Sequence, residues 1–449
     1  MEFDLIIIGA GPGGYEMAAE AAHQGMNVAL VERDKLGGTC LNRGCIPTKA
    51  LCRNAEVVAT MREAARWGVN TGDIAVDYAA AAARKDEVVD QLRNGVEMLL
   101  NSASVTVVNG EARLVDAHTV EVAGALHTAQ HIVIATGSQP RGLPIPGAEL
   151  AMTSDDLLAM TALPQSIVVV GGGVIGREFA VIMHNYGVKV TVVEFCKEIL
   201  PPFDADVAKR LRKLLSKRGI DIVTQAGVTA IEPSDQGFVV RYDSKGKSRE
   251  VVAERVLMAV GRAPVIPAGA QEVGVVVGRR GIEVDEHMCT AVPNIYAIGD
   301  VNGHCMLAHA ATAQGRVALA HMRGQACSIN LDVVPSAVFT TPELAMVGLT
   351  EDQCEQRGIE VDVHETFFRS NGKALAMGEP DGLLKLIVNR TTGRVEGCHI
   401  CGAHAADIIQ EVALAMSAGL TAEALATTIH GHPTLTEVLQ QAALQVASK

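Results

Sequence analysis

The sequence predicts an α/β protein built from two dinucleotide-binding units in tandem, followed by a third unit of different composition. Three observations predict it: a strand, glycine turn, helix, strand and acid in that order at the N-terminus; the same succession again after Ile167; and a change from about Val333 toward prolines and strand-like runs such as Leu384 to Val388. At 449 residues the length suggests about three domains at ~150 residues each.

In the first unit an apolar run, Phe3 to Ile8, ends in Gly9, Gly11 and Gly14; a helical pattern continues to Gly25, and a second strand, Val28 to Val31, is closed by Glu32. Glycines there let a pyrophosphate approach the helix N-terminus, and the acid accepts hydrogen bonds from a ribose. The pattern returns as Ile167 to Val170, then Gly171, Gly173 and Gly176, a helix to about Tyr186, and Val188 to Val193 ending in Glu194. Gly9, Gly14 and Glu32 map onto Gly171, Gly176 and Glu194 by one common offset, so both units are expected to be Rossmann-like. Glu194 favours NAD, because a carboxylate repels the 2′-phosphate of NADP; Lys197 is the only cation near it in the sequence.

Between the two fingerprints, Ala79 to Leu100 reads as a solvated packing helix, and Gly142 to Gly147, with Pro144 and Pro146, reads as a linker. A net charge of −13 argues against nucleic acid or an anionic membrane as the main partner. No apolar run approaches the ~18 residues that a spanning helix needs. The opening MEFD passes straight into a strand without a basic or apolar leader, and the ten cysteines show no dense framework of the secreted kind. A reducing cytoplasm is therefore expected, where a disulfide would be catalytic.

Two cysteines stand out. Cys40 and Cys45 lie in Gly37 to Ala50, with Gly44 before the second and Pro47 and Lys49 after it. On a regular helix, positions five apart are roughly 8 Å from each other, beyond the reach of a disulfide, so cycling between dithiol and disulfide requires a distorted helix. Gly44 supplies the freedom, Pro47 fits the first turn of a new helix, and a thiol at that helix start would be acidified by the dipole. Near the C-terminus, His430-Gly-His432-Pro433-Thr434 precedes Glu437. Histidine moves protons at neutral pH, and Thr434 with Glu437 also has the spacing of a capping box. Cys398 and Cys401 have CxxC spacing without a second pair, and no metal site is expected.

These motifs resemble the flavin-dependent pyridine nucleotide-disulfide oxidoreductases, from Gly9 to Glu437, and the C-terminus narrows the resemblance to the branch that oxidises dihydrolipoamide. The resemblance implies FAD on the first fingerprint and NAD on the second. It implies a redox-active Cys40–Cys45 disulfide with Cys40 as the exposed interchange thiol and Cys45 beside the flavin. Lys49 would sit next to the flavin ring, paired with Glu178. His432 would be the acid/base and Glu437 would orient its ring, with His430 shaping the loop and a candidate cis bond at His432–Pro433. By the same resemblance, Gly38, Thr39, Ala112, Thr136, Gly137, Arg262, Asp300, Met306 and Ala308 contact cofactor, Asp300 from a strand-borne acid motif and Gly261 from the end of the second unit. Val265 stands where the family often has asparagine.

The implied domains are 1–143 and 265–332 for FAD, 144–264 for NAD, and 333–449 as an α+β interface domain that dimerises. Electrons would pass from protein-bound dihydrolipoamide through the disulfide and FAD to NAD. The expected partners are a second copy of the chain, whose disulfide His432 would reach, and a lipoylated protein of a 2-oxo acid dehydrogenase-type or glycine cleavage complex. No lipoyl-type domain precedes Met1, so that partner is expected on a separate chain. Glutathione- or mercuric-reductase-like activity, or a non-catalytic structural role, are the alternatives.

Overall fold

The computed structural model describes residues 1–447. Two compact units are present: residues 1–51, 79–141 and 262–331 form the first, and 52–78, 142–261 and 332 onward form the second. In chain order, β1 (Phe3–Ile8), α1 (Pro12–His23) and β2 (Val28–Glu32) are followed by α2 (Gly38–Arg43), α3 (Cys45–Arg62) and α4 (Tyr78–Ser102). Then come β3 (Thr106–Asn109), β4 (Ala112–Leu114), β5 (Thr119–Val122), β6 (Ala125–Ile134) and β7 (Ser138–Pro140). The next stretch holds α5 (Ser154–Leu158), β8 (Ser166–Val170), α6 (Val174–Tyr186), β9 (Lys189–Val193), α7 (Ala205–Arg218) and β10 (Asp221–Val223). It continues through β11 (Ala226–Ser234), β12 (Gly237–Ser244), β13 (Lys247–Ala253), β14 (Arg255–Met258), β15 (Arg262–Pro264), β16 (Ile295–Ala297) and α8 (Ala308–Met322). The C-terminal part is β17 (Ser336–Val338), β18 (Glu343–Gly348), α9 (Glu351–Gln356), β19 (Val361–Phe367), α10 (Gly372–Ala376), β20 (Leu383–Asn389), β21 (Val395–Gly402), α11 (Ala405–Ser417), α12 (Ala422–Thr427) and α13 (Glu437–Ala447).

In the first unit the strands run β3-β2-β1-β6-β5-β4, with β16 also on β6. β1 pairs in parallel with β2 and β6, Ile6 lying opposite Ala29 and Ile132. β1 carries an apolar residue at five of six positions and buries both faces, as an inner parallel strand must when helices cover each side. Its Leu5 and Ile7 join a core with α1 and α8, while Ile6 and Ile8 pack with β4 and β5 on the other face.

In the second unit the parallel order β10-β9-β8-β14 repeats β3-β2-β1-β6, so the repeated fingerprint is also a repeated topology. An antiparallel meander, β11-β12-β13, follows β10. The C-terminal part is an antiparallel sheet, β17-β18-β21-β20-β19, covered by α11, α12 and α13, which makes it α+β. Leu384, Leu386 and Val388 of β20 face those helices. Lys385 alternates to the opposite face, where its ammonium meets Asp204, Asp206 and Glu351 at 3.1, 3.1 and 2.9 Å. Among the described residues no helix is long and apolar enough to cross a membrane.

Candidate active site

The two glycine turns are built alike. A Cβ on Gly14 would lie 1.9 Å from the Gly9 carbonyl oxygen, and one on Gly176 would lie 2.2 Å from that of Gly171, so only glycine permits the helix to start so close to its strand. Gly11 and Gly173, by contrast, have nothing within 4 Å of the position a Cβ would take. That open middle position leaves the backbone accessible, as close approach of a pyrophosphate would require. The acids are held the same way in both. Glu32 accepts the Ala10 and Asp34 N–H groups at 2.8 Å each, and Glu194 accepts those of Gly172 and Cys196. Each carboxylate is thereby fixed at the turn with lone pairs left for a ribose.

The chain leaving β2 folds back over the first turn. Gly37 N–H donates to the Ala10 carbonyl at 2.8 Å, and a Cβ on Gly38 would come within 2.6 Å of the Gly11 Cα. α2 therefore starts on the glycine turn, which carries Thr39, Cys40 and the following residues to the dinucleotide cradle. The predicted distortion sits at Gly44, where α2 ends and α3 begins with Cys45. Close packing requires glycine there, because a Cβ would stand 2.9 Å from the Thr39 carbonyl oxygen. Cys40 and Cys45 are both thiols. Hydrogen bonding to Cys45, together with burial, raises the Cys40 thiol well above its ordinary range, and Lys49 opposes that rise. As whole residues in the single chain, Cys45 is exposed and Cys40 half-buried, Cys40 lying inside the turn beside Tyr15 while Cys45 heads α3.

Around the exit from β6, Gly137 adopts φ +69° and β7 pairs antiparallel with β15. Thr136 Oγ1 donates to the Val265 carbonyl, and the Val265 N–H donates to Gly137, so the residue in place of asparagine contributes through its backbone. Arg262 Nε donates to Ser138 Oγ at 2.7 Å and its Nη2 to the Ser138 carbonyl at 2.6 Å; Ser138 Oγ in turn donates to Asp300 at 2.5 Å. Arg262 thus acts on Asp300 through Ser138. Asp300 itself follows β16 in a short turn that Gln314 of α8 fastens by accepting the Gly299 N–H at 2.7 Å. Met306 is partly exposed and Ala308 opens α8, while Ala112 is buried on β4 opposite Val122.

In the second unit, Glu178 is buried in α6 and accepts the Phe339 N–H at 3.0 Å, so it is no ordinary solvated helix charge. Gly261 adopts φ +108°. His432 Nδ1 lies 2.9 Å from Glu437 Oε1, and Glu437 Oε2 accepts the Thr434 N–H at 2.9 Å. Because an ionised carboxylate only accepts, Nδ1 donates its proton to Glu437, and in the neutral imidazole that tautomer leaves the lone pair on Nε2, on a side chain that is 79 % exposed. The His432 and Thr434 hydrogen bonds hold the Glu437 carboxyl below the usual range. Only half of the expected capping box forms: the Thr434 hydroxyl donates to the Gly431 carbonyl. His432–Pro433 is cis. His430 has both nitrogens engaged, Nδ1 at the Thr428 carbonyl and Nε2 at Glu411, so it fastens the loop.

Sequence reasoning missed Ser138 and Arg177. Ser138 directly follows the Thr136-Gly137 strand end, and Arg177 directly follows Gly176. The expectation that Lys197 is the only cation near Glu194 is corrected, since Arg177 also lies in charge range of that carboxylate. Cys398 and Cys401 are buried on opposite faces of β21, where burial raises both thiols, the second to about 12. Among the described residues no group of three or more His, Cys, Asp or Glu is arranged to hold a metal ion.

Comparison with known proteins agrees over nearly the whole chain. The chain is 41% identical over 451 residues to the dihydrolipoyl dehydrogenase of Chlamydia muridarum, covering 98% of this chain and 96% of the relative. It is 40% identical over 450 residues to that of Geobacillus stearothermophilus, covering 99% and 96%. Among solved structures, the HOCl-induced flavoprotein disulfide reductase RclA from Escherichia coli superposes with a TM-score of 0.87 at 31% identity, covering 99% of this chain and 100% of that one. Residues 334–443 match the dimerisation domain of the pyridine nucleotide-disulphide oxidoreductases. Residues 3–315 match their dinucleotide-binding part, and the chain belongs to the pyridine nucleotide-disulphide oxidoreductase family.

Proposed function

We propose that this chain is an FAD-containing dihydrolipoyl dehydrogenase that oxidises dihydrolipoamide with NAD+. The observation that carries the reading is the Cys40 and Cys45 thiol pair, delivered onto the first glycine turn by the approach of Gly38 to Gly11. In the oxidised state the pair is a disulfide. A dihydrolipoamide thiol loses its proton to His432 Nε2 and attacks Cys40, breaking the Cys40–Cys45 bond and releasing the Cys45 thiolate. The second lipoyl thiol then attacks the mixed disulfide, closes lipoamide and frees Cys40, so one substrate dithiol is exchanged for one enzyme dithiol. Glu437 holds His432 in the tautomer that makes this possible. FAD bound on the first glycine turn would supply the two-electron redox chemistry that links the dithiol to NAD+.

Gly9, Gly11, Gly14, Glu32, Gly38, Thr39, Ala112, Thr136, Gly137, Asp300, Met306 and Ala308 form the FAD site, with Arg262 bracing Asp300 and Lys49 at the reacting end. Gly171, Gly173, Gly176, Glu194 and Gly261 form the NAD site, and Glu178 is a further catalytic residue. The FAD domain comprises 1–143 and 265–332, the NAD domain 144–264, and the interface domain 333–449. The active species is a homodimer in which His432 serves the Cys40–Cys45 pair of a second copy, and its substrate is carried by a lipoylated protein of a 2-oxo acid dehydrogenase-type or glycine cleavage complex in the cytoplasm.

The test is an anaerobic titration of the purified flavoprotein with dihydrolipoamide, followed by NAD+. The flavin absorbance is expected to change on the first addition and return on the second as NADH forms. Cys45→Ser should keep its flavin and lose lipoamide turnover. If dihydrolipoamide has no effect while NADPH reduces glutathione or another disulfide, the substrate assignment is wrong.

A further inference from the structure

Between the two cysteines of α2 and α3 stands Asn42, whose amide is engaged on every side. Its Nδ2 donates to the Leu36 carbonyl at 2.9 Å and to the Gly38 carbonyl at 3.0 Å, and its Oδ1 accepts from Arg93 Nη1 at 3.2 Å. Arg93 comes from α4, whose Val89, Val96 and Leu100 are buried in one apolar cluster with Leu41 of α2. Positions 89, 93, 96 and 100 follow one another in steps of three and four, so Arg93 interrupts the apolar stripe that enters that cluster. A cation there loses part of its hydration, and two partners compensate: Asp90 on the same helix, and the Asn42 amide oxygen.

α2 has six residues, too few for a helix to keep its shape on internal hydrogen bonds alone. It must nevertheless hold Cys40 within reach of Cys45, since a disulfide requires Cα atoms within about 4.4 to 6.8 Å. The Asn42 amide ties the end of α2 back to the carbonyls at its start, closing residues 36–42 into a ring around Cys40. Arg93 fixes which way that amide faces: with the oxygen turned to the guanidinium, both N–H groups point at the carbonyls. A loop ordered in advance loses less conformational entropy when the disulfide closes. The effect is one of position rather than charge, because Asp90 neutralises Arg93 and the pair is partly exposed. We propose that Asn42 and Arg93 are positioning residues of the dithiol centre, which hold the loop between the cysteines and thereby set the dithiol–disulfide equilibrium toward the disulfide. This rests on the reading of Cys40 and Cys45 as a redox pair.

Anaerobic equilibration of the flavin-loaded protein across ratios of reduced to oxidised dithiothreitol tests it. Oxidised dithiothreitol takes two electrons and two protons from the pair as the Cys40–Cys45 bond forms. Acid quenching, alkylation and mass spectrometry of the peptide carrying both cysteines then give the fraction present as disulfide. Arg93→Met, which suits the apolar stripe and should fold, is expected to shift the equilibrium constant toward the dithiol at least fivefold, ~20 mV for a two-electron couple, and Asn42→Ala at least tenfold, ~30 mV. Because Arg93 acts through Asn42, the double variant should shift no further than Asn42→Ala alone. A merely structural role would lower thermal stability and leave the equilibrium in place. A smaller shift in Arg93→Met, or one toward the disulfide, overturns the proposal, as do additive shifts in the double variant. Should Asn42→Ala not fold, Arg93→Met decides alone. A wild type that shows no Cys40–Cys45 disulfide at any ratio overturns the reading of the redox pair instead.

Discussion

Replacing Ser138 with alanine isolates a residue that no motif marks. Its hydroxyl accepts from Arg262 Nε at 2.7 Å and donates to Asp300, and the side chain is nearly buried. Ser138→Ala removes both bonds and leaves a guanidinium donor and a carboxylate acceptor facing a methyl group. A hydrogen bond to a charged group contributes about 1.5–3 kcal/mol. Arg262 keeps its second bond to the Ser138 carbonyl, and Asp300 is only half-buried, so water recovers part of the loss. The expected cost is about 2 kcal/mol, which corresponds to ~30-fold in a dissociation constant if it falls on Asp300 as a cofactor ligand. The assay is the flavin dissociation constant of the purified variant, measured by reconstitution of the flavin-free protein, alongside thermal unfolding with and without FAD. A variant that binds FAD as tightly as the wild type would refute the view that Arg262 and Ser138 position Asp300 for the cofactor. Loss of stability in the flavin-free protein with unchanged FAD affinity would place the chain of bonds in folding alone.

Gly11→Ala and Gly173→Ala should fold, since nothing lies near either new methyl group, but each should weaken one dinucleotide: flavin retention in the first, and the KM for NAD+ with flavin content intact in the second. Gly14→Ala, whose methyl would collide with the Gly9 carbonyl, should instead fail to give folded flavoprotein, and soluble yield with bound flavin separates the two classes. His432→Gln should lower kcat with dihydrolipoamide by about 10²–10⁴-fold, the usual contribution of a positioned acid/base, and Glu437→Gln less, because an amide still meets Nδ1. The Glu437 carboxyl is held below its ordinary pKa by His432 and Thr434, so its stabilising contribution is complete above the unfolded value near ~4.3 and is lost as pH falls through the lower folded value. A nuclear magnetic resonance titration of the Glu437 side chain with a midpoint at or above the ordinary value would contradict this. Lys385→Met strands the buried Asp204, which keeps N–H bonds from Asp206 and Val207, so urea unfolding should show a loss of about 3 kcal/mol, toward the low end for a broken buried pair.

The sequence by itself determined the repeated dinucleotide unit, because strand, turn and acid are local features whose spacing survives in one dimension. The structure adds that the repeat extends to sheet order and to the way Glu32 and Glu194 are pinned by the turn N–H groups. The cysteine pair, the break at Gly44 and the His432–Glu437 pair were legible for the same reason: each is made within a few consecutive residues. Tertiary structure alone decided the rest. The contact of Gly38 with Gly11 and the bonds joining Ser138, Arg262 and Asp300 link positions from 27 to 162 apart in the chain, and no local pattern encodes such pairings. The exposure of Cys40 and Cys45 likewise depends on what packs against each of them, which no local pattern records. Arg177 looks like one more helix charge until folding buries it fully, with its guanidinium donors unmatched among the described residues.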